Sequence, residues 1–381
     1  MRLLTLFSAF VSLLAATDQA TASVSVPLRR VVKTPHSNAT SNVEHPGSSN
    51  DTKIKRSELQ EPLGGRQYGI GYAIEIGFGT PPQKFNLLLD TGSDVLWIPM
   101  EGCNGNICNN NPELYDPSQS STAYNTGETA WISYVSGKTV MDVYTDTFHF
   151  GDLQIPNQRF GAATTANMYN TYEVYGTSGI LGMARDQWDG LNSFVDLFNK
   201  SLITPATVSF NFAQNPNDST LILGETPSEL SNRGVIWYDN DNCADHKFCV
   251  TASSMCVVDK DGNENCVLES DHTYSALLDT GATINLVDTQ VGAALNRFLG
   301  VSEDGSMPCD GPDISFVLNG KKFQWSVNDY ATEDNGVCWS NWDVDNSLDG
   351  TYQFNFGDAF FTNIYTSLDY DNNKVGLGPI N

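Results

Sequence analysis

Positive charge is scarce in this chain. Its 381 residues hold 20 Lys and Arg against 45 Asp and Glu, a formal net charge of −25. Nucleic acid is excluded as a partner, since its binding rests on basic side chains that neutralise phosphates. Charge of either sign is thin at 17%, below the usual quarter or so. The surface must therefore rely on Ser, Thr, Asn and Gly, as extracellular β proteins do. Among eight Cys and five His there is no C-x-x-C pair and no His pair at ligand spacing, which removes the usual zinc signatures. His246, between Cys243 and Cys249, is the one place where a ligand could be sought, and a surface His beside a disulfide is the stronger reading. No segment reaches the roughly 20 consecutive apolar residues of a membrane helix.

What is present suffices for a large core: 40% hydrophobic and 11% aromatic residues, in a length that favours two compact units. Arg2, the apolar stretch Leu3 to Ala16 and the small-x-small site Ala20-Thr21-Ala22 have the layout of a secretory signal peptide over 1–22. Residues 23–56 carry six basic and two acidic side chains, whereas 57–381 carry 13 basic and 42 acidic. A basic segment closed by Lys55-Arg56, ahead of a strongly acidic remainder, reads as a propeptide held partly by charge. A disordered Ser/Asn-rich spacer is the competing reading. Eight cysteines behind a signal peptide predict disulfides. Sequons at Asn38, Asn50, Asn199 and Asn217 fit the same secretory route.

Short β-branched and aromatic runs at 71–78, 85–89, 139–150, 207–212, 314–318 and 351–356, broken by Gly, Asn, Asp and Pro, predict an all-β protein. Helical periodicity is confined to 191–200 and 289–299. Within this rhythm the segment Leu87-Leu88-Leu89-Asp90-Thr91-Gly92-Ser93 is echoed by Ala276-Leu277-Leu278-Asp279-Thr280-Gly281-Ala282. Each copy runs an apolar strand into a carboxylate and a Gly turn. One such Asp is a turn cap; two in matching contexts predict a pair. Facing carboxyls cannot both ionise readily, so they share a proton, one acting as base and the other as acid. Such a pair can activate a water and protonate a carbonyl oxygen without a covalent adduct, which is amide hydrolysis at acid pH.

Across Tyr68 to Ile380 these residues resemble the pepsin family of two-lobed aspartic endopeptidases. The likeness is carried by Ile76-Gly77-Phe78-Gly79-Thr80-Pro81-Pro82-Gln83, by Asp90-Thr91-Gly92-Ser93 with Trp97 following, by the small loop Cys103 to Cys108, by Ser178-Gly179-Ile180-Leu181-Gly182, and by Asn372-Asn373-Lys374-Val375-Gly376-Leu377. Val26-Pro27-Leu28-Arg29-Arg30 is similar to the start of the family's basic propeptide. The resemblance implies Asp90 and Asp279 as the catalytic dyad, supported by Thr91, Thr280, Ser93 and Trp97. It implies Tyr134 as a flap tyrosine, with Ser136, Gly92 and Gly281 also offered to substrate. It further implies an all-β, two-lobed fold: signal peptide 1–22, propeptide 23–56, an N-terminal β lobe over 57–245 and a C-terminal β lobe over 246–381. The implied protein is a monomer needing no cofactor or metal, secreted or held in an acidic vacuole, acting on protein or peptide substrates and inhibited by its own propeptide. An inactive pepsin-fold module that only binds peptide or protein is the alternative.

Several positions depart from the family pattern. Val135 stands where the flap usually has Gly, which predicts a stiffer tip. Thr177 and Ser178 replace a common Phe-Asp pair, which predicts a less aromatic pocket. Ala282 replaces a hydroxyl residue, and losing a donor to the charged form raises a carboxyl pKa, so the pattern predicts an optimum less acidic than a gastric pepsin's. The second apolar-apolar-Gly segment is degraded to Asn355-Phe356-Gly357. Cys256 and Cys266 lie symmetrically about Asp261-Gly262 as a hairpin staple does, which leaves Cys243 with Cys249; Cys309 and Cys338 complete the disulfide set.

Overall fold

The computed structural model of the chain describes residues 24–27, 29–32, 70–109, 111–151, 153–168, 176–185, 191, 203, 205–212, 219–224, 234–240, 243, 247–268, 272–348 and 352–379. The signal peptide, Lys55-Arg56, the four sequons, His246 and nearly all of the expected helix over 191–200 lie outside them.

The fold is all-β and two-lobed. In the first lobe the apolar runs read from the sequence pair into an eight-stranded sheet, in the order Arg29–Val32, Ile70–Phe78, Gln83–Asp90, Gly179–Gly182, Leu96–Asn104, Leu153–Met168, Gly137–Phe150 and Tyr124–Tyr134. Alternation along Gly137–Phe150 buries Met141 and Val143 in one phase and Tyr144, Asp146, Phe148 and Phe150 in the other, each half following the period-2 pattern of a strand. Phe78, Tyr115, Phe148 and Phe160 meet in a buried aromatic cluster. The second lobe repeats the plan, in the order Lys321–Trp325, Asp313–Leu318, Cys249–Val258, Tyr274–Leu278, Phe354–Phe356, Asn285–Val287 and Trp342–Val344, with Glu264–Cys266 on Cys249–Val258. Its core stacks Phe356 on Phe360, with Trp325 and Trp342 at their edges.

A six-stranded sheet draws on both sides of residue 245. It runs Val24–Pro27, Thr220–Leu223, Thr207–Asn211, Ile364–Asp369, Lys374–Pro379 and Ile236–Asp239. The segment 24–32 thus feeds two sheets: Val24 sits opposite Leu223 in one, and Arg29 opposite Ala73 in the other.

Helix is the minor component. Thr289–Leu299 matches the sequence expectation because its ends are written locally: the Asp288 side chain accepts from the Val291 amide, and Gly300 closes the helix at φ 71°, the usual cap pair. Val291, Leu295 and Leu299 form its buried stripe. The expected strand over 351–356 is shorter, only Phe354–Phe356.

Four disulfides join Cys103 to Cys108, Cys243 to Cys249, Cys256 to Cys266 and Cys309 to Cys338. Cys256 and Cys266 face each other across the antiparallel pair Cys249–Val258 and Glu264–Cys266. No helix among the described residues is long and apolar enough to cross a membrane.

Candidate active site

Each D-T-G turn is delivered by the same strand crossing. Gln83–Asp90 runs parallel to Gly179–Gly182, with Asp90 opposite Gly182. Tyr274–Leu278 runs parallel to Phe354–Phe356, with Leu278 opposite Phe356. The Met183 amide donates to Asp90 O and the Asp279 amide to Phe356 O, so each crossing strand holds the backbone of its Asp. The first crossing is clamped further. Glu113 accepts from the Asn86 amide at 3.0 Å, from Asn86 Nδ2 at 3.0 Å and from the Ser178 hydroxyl.

The two turns meet through their threonines. Thr91 Oγ1 donates to Leu278 O at 2.7 Å and Thr280 Oγ1 to Leu89 O at 3.0 Å. In return the Thr91 amide donates to Thr280 Oγ1 at 3.1 Å and the Thr280 amide to Thr91 Oγ1 at 2.9 Å. Both side chains are fully buried, and the four bonds satisfy groups that would be costly to leave unpaired.

This knot brings the two carboxyls face to face. Asp90 and Asp279 lie within hydrogen-bond reach of one another. A Cβ on Gly92 would come within 2.5 Å of Asp279 Oδ1, and one on Gly281 within 2.5 Å of Asp90 Oδ1, so only glycine allows this approach. The Gly92 amide donates to Asp90 Oδ1 at 2.9 Å and the Gly281 amide to Asp279 Oδ1 at 2.9 Å. The Ser93 hydroxyl donates to Asp90 Oδ2. Burial, reinforced by the charge of Asp279, raises the Asp90 pKa from the ordinary carboxylate range to about 7, against the lowering effect of Ser93 and Gly92. Two carboxyls so placed hold one proton between them.

The hairpin Tyr124–Tyr134 and Gly137–Phe150 stands beside this pair. Trp97, fully buried, donates from Nε1 to the Tyr134 hydroxyl at 2.9 Å. That hydroxyl lies close to Ser93 and to the Asp90 charge, and Ser93 in turn donates to Asp90 Oδ2. Burial and the Asp90 charge push the Tyr134 phenol well above its ordinary value, which keeps it a neutral hydroxyl. Ser136 sits in the hairpin turn, and the positive φ of that turn falls on Gly137 at 149°. Val135, 72% exposed, presents its side chain at the tip.

Thr177 and Ser178 are fully buried, and the Ser178 hydroxyl donates to Glu113 within the clamp. The carboxyl of Asp279 is also not short of donors. Asn355 Nδ2 donates to its Oδ2 at 2.8 Å, a contact that sequence reasoning missed. Its only signal was the polar residue interrupting the second apolar-apolar-Gly segment.

Residues 71–380 match the sequence profile of the eukaryotic aspartyl protease family, and the chain belongs to that family. Pepsin A of Gallus gallus is 27% identical over 345 residues, covering 88% of this chain and 91% of its own. Chymosin of Camelus dromedarius is 28% identical over 329 residues, with 85% and 84% covered. Gastricsin of Mus musculus is 28% identical over 342 residues, again with 85% and 84% covered.

Proposed function

We propose that the chain is a secreted, zymogen-derived endopeptidase that hydrolyses peptide bonds at acid pH through a water activated by Asp90 and Asp279. The observation that carries this reading is the face-to-face carboxyl pair, with Asp90 buried and its pKa raised to about 7. Over the acid range the pair keeps one proton and one negative charge. The charged carboxyl removes a proton from a water held between the two, and the protonated one donates to the substrate carbonyl oxygen, giving a tetrahedral intermediate. Collapse then returns a proton to the departing amine. Thr91 and Thr280 fix the spacing. Gly92 and Gly281 let the facing carboxyl approach and offer backbone groups to the substrate, and Tyr134 with Ser136 closes over it from the hairpin. An extended peptide fits such a cleft as an added strand held by main-chain hydrogen bonds.

The zymogen reading draws on segment 24–32, which supplies edge strands to two sheets at once. A stretch with excess basic charge on an acidic body is held more weakly once the partner carboxylates are protonated, so acid pH favours its release. Secretion rests on the layout of residues 1–22.

The test is cleavage of unfolded globin by the acid-treated protein from about pH 2.5 to 7, with and without pepstatin, beside Asp90→Asn. Pepstatin-sensitive cleavage confined to acid and absent from the variant is expected. A folded protein freed of residues 1–56 that cleaves nothing refutes the reading.

A further inference from the structure

Two breaks in the internal symmetry of the chain fall on the same carboxyl. Ser93 stands three residues after Asp90 and donates to its Oδ2. The matching residue after Asp279 is Ala282, which has no side-chain donor. In the crossing strands, Ile180 pairs with Leu88 and Asn355 pairs with Leu277, so Asn355 holds the place that an isoleucine holds in the first half. Ile180 is 3% exposed and Asn355 8%. Asn355 also pairs with Leu286 on its other side, so its strand is flanked by partners and the amide is largely shielded from water. A buried amide is costly unless it is hydrogen-bonded. Here Nδ2 donates to Asp279 Oδ2 at 2.8 Å, while Oδ1 has no partner. The reverse orientation would set an amide oxygen against a carboxylate.

We propose that Asn355 is a positioning residue of the dyad: its amide replaces the hydroxyl that Ala282 lacks and holds Asp279 as the proton-free member of the pair. The inference rests on the dyad reading above. A hydroxyl can turn and accept once its partner is protonated, whereas an amide nitrogen only donates. A proton on Asp279 Oδ2 would therefore meet Asn355 donor to donor, and the shared proton is directed to Asp90. The titratable groups around this carboxyl are Asp90 opposite, Tyr134 beyond Asp90, and Asp358, buried just past the Asn355 strand with its amide on Ala282 O. Asn355 is the neutral member of that surround, so its effect is independent of pH and shows as a shift of the pair's own titration.

The experiment compares kcat/KM against pH for a quenched-fluorescent peptide in wild type, Asn355→Ile, Ala282→Thr and the double variant. Loss of a donor to the charged form raises the lower apparent pKa of the pair. Asn355→Ile is expected to move the acid limb up by about one pH unit. The double variant, with a hydroxyl restored at position 282, is expected to bring the limb back, while Ala282→Thr alone changes it little. A purely structural role for Asn355 predicts lower kcat without a moved limb and without rescue. An unmoved limb, or a moved limb that the added Ala282→Thr change fails to restore, overturns the proposal. Asn355→Leu, close to isosteric, serves if the isoleucine variant does not fold. Carbon-13 titration of the aspartate carboxyls reads the same shift without turnover. A folded wild type without acid peptidase activity sinks the dyad reading, whereas an active wild type with an unmoved Asn355→Ile limb sinks the Asn355 inference alone.

Discussion

Replacing Asp90 with Asn should make the protein more resistant to neutral pH while abolishing its activity. The Asp90 carboxyl has a pKa raised from 3.8 to about 7 by burial and by Asp279. The folded chain therefore keeps a proton there that the unfolded chain releases above about pH 4. Where the folded state binds more protons than the unfolded one, stability falls as pH rises. The contribution is fully present below the unfolded value and is lost on passing up through about pH 7. At about 1.4 kcal/mol per pH unit, a gap of some three units allows a loss of up to about 4 kcal/mol. That is a large share of the roughly 5–15 kcal/mol that holds a domain folded. Asn resembles the protonated acid and cannot ionise, so the variant should match the wild type near pH 4 and exceed it progressively toward pH 7. Urea midpoints read by tryptophan fluorescence at unit pH steps give the comparison. The general repulsion of the acidic chain is common to both proteins and cancels. A difference between variant and wild type that stays constant within about 1 kcal/mol across this range refutes the argument.

Other perturbations test neighbouring parts of the site. Thr91→Val strips Leu278 O of a donor and the Thr280 amide of an acceptor in a fully buried place; at about 1–3 kcal/mol per orphaned group, a loss of about 2–6 kcal/mol in urea unfolding is expected, with Thr91→Ser largely spared. Tyr134→Phe leaves buried Trp97 Nε1 without its acceptor and should lower kcat/KM about tenfold and cost about 1–3 kcal/mol in urea unfolding. Asp146 is buried and accepts from Tyr115 Oη at 2.7 Å, Thr122 Oγ1 at 2.6 Å, Ser120 Oγ at 3.0 Å and the Thr147 amide at 2.8 Å. Asp146→Ala should cost about 2–4 kcal/mol of stability, and the mild heating that inactivates it should spare the wild type.

Local chemistry made part of this molecule legible. Asp288 and Gly300 bracket a helix, and the two apolar strands ending in D-T-G declare two matching turns. What sequence could not supply was partnership across distance. The six-stranded sheet joins Thr207–Asn211 to Ile364–Asp369, and nothing in either run names the other. The partner of Ser178 is Glu113, more than sixty residues away, which no local pattern names. Asn355 was visible as a flaw in an apolar motif and Ala282 as a missing hydroxyl. Only the parallel pairing of Tyr274–Leu278 with Phe354–Phe356 shows that one offsets the other.

The threonine knot has a mechanical consequence. Its four bonds tie the turn after Asp90 to the turn after Asp279, so any rocking of one lobe against the other that keeps them intact pivots close to that point. Displacement grows with distance from a pivot, and the carboxyls sit almost on it. The outer walls and the hairpin can then open for a bulky chain while the reacting groups keep their separation. Access and chemistry are thereby uncoupled, and residues along the rim are free to change what enters without retuning the pair at the centre.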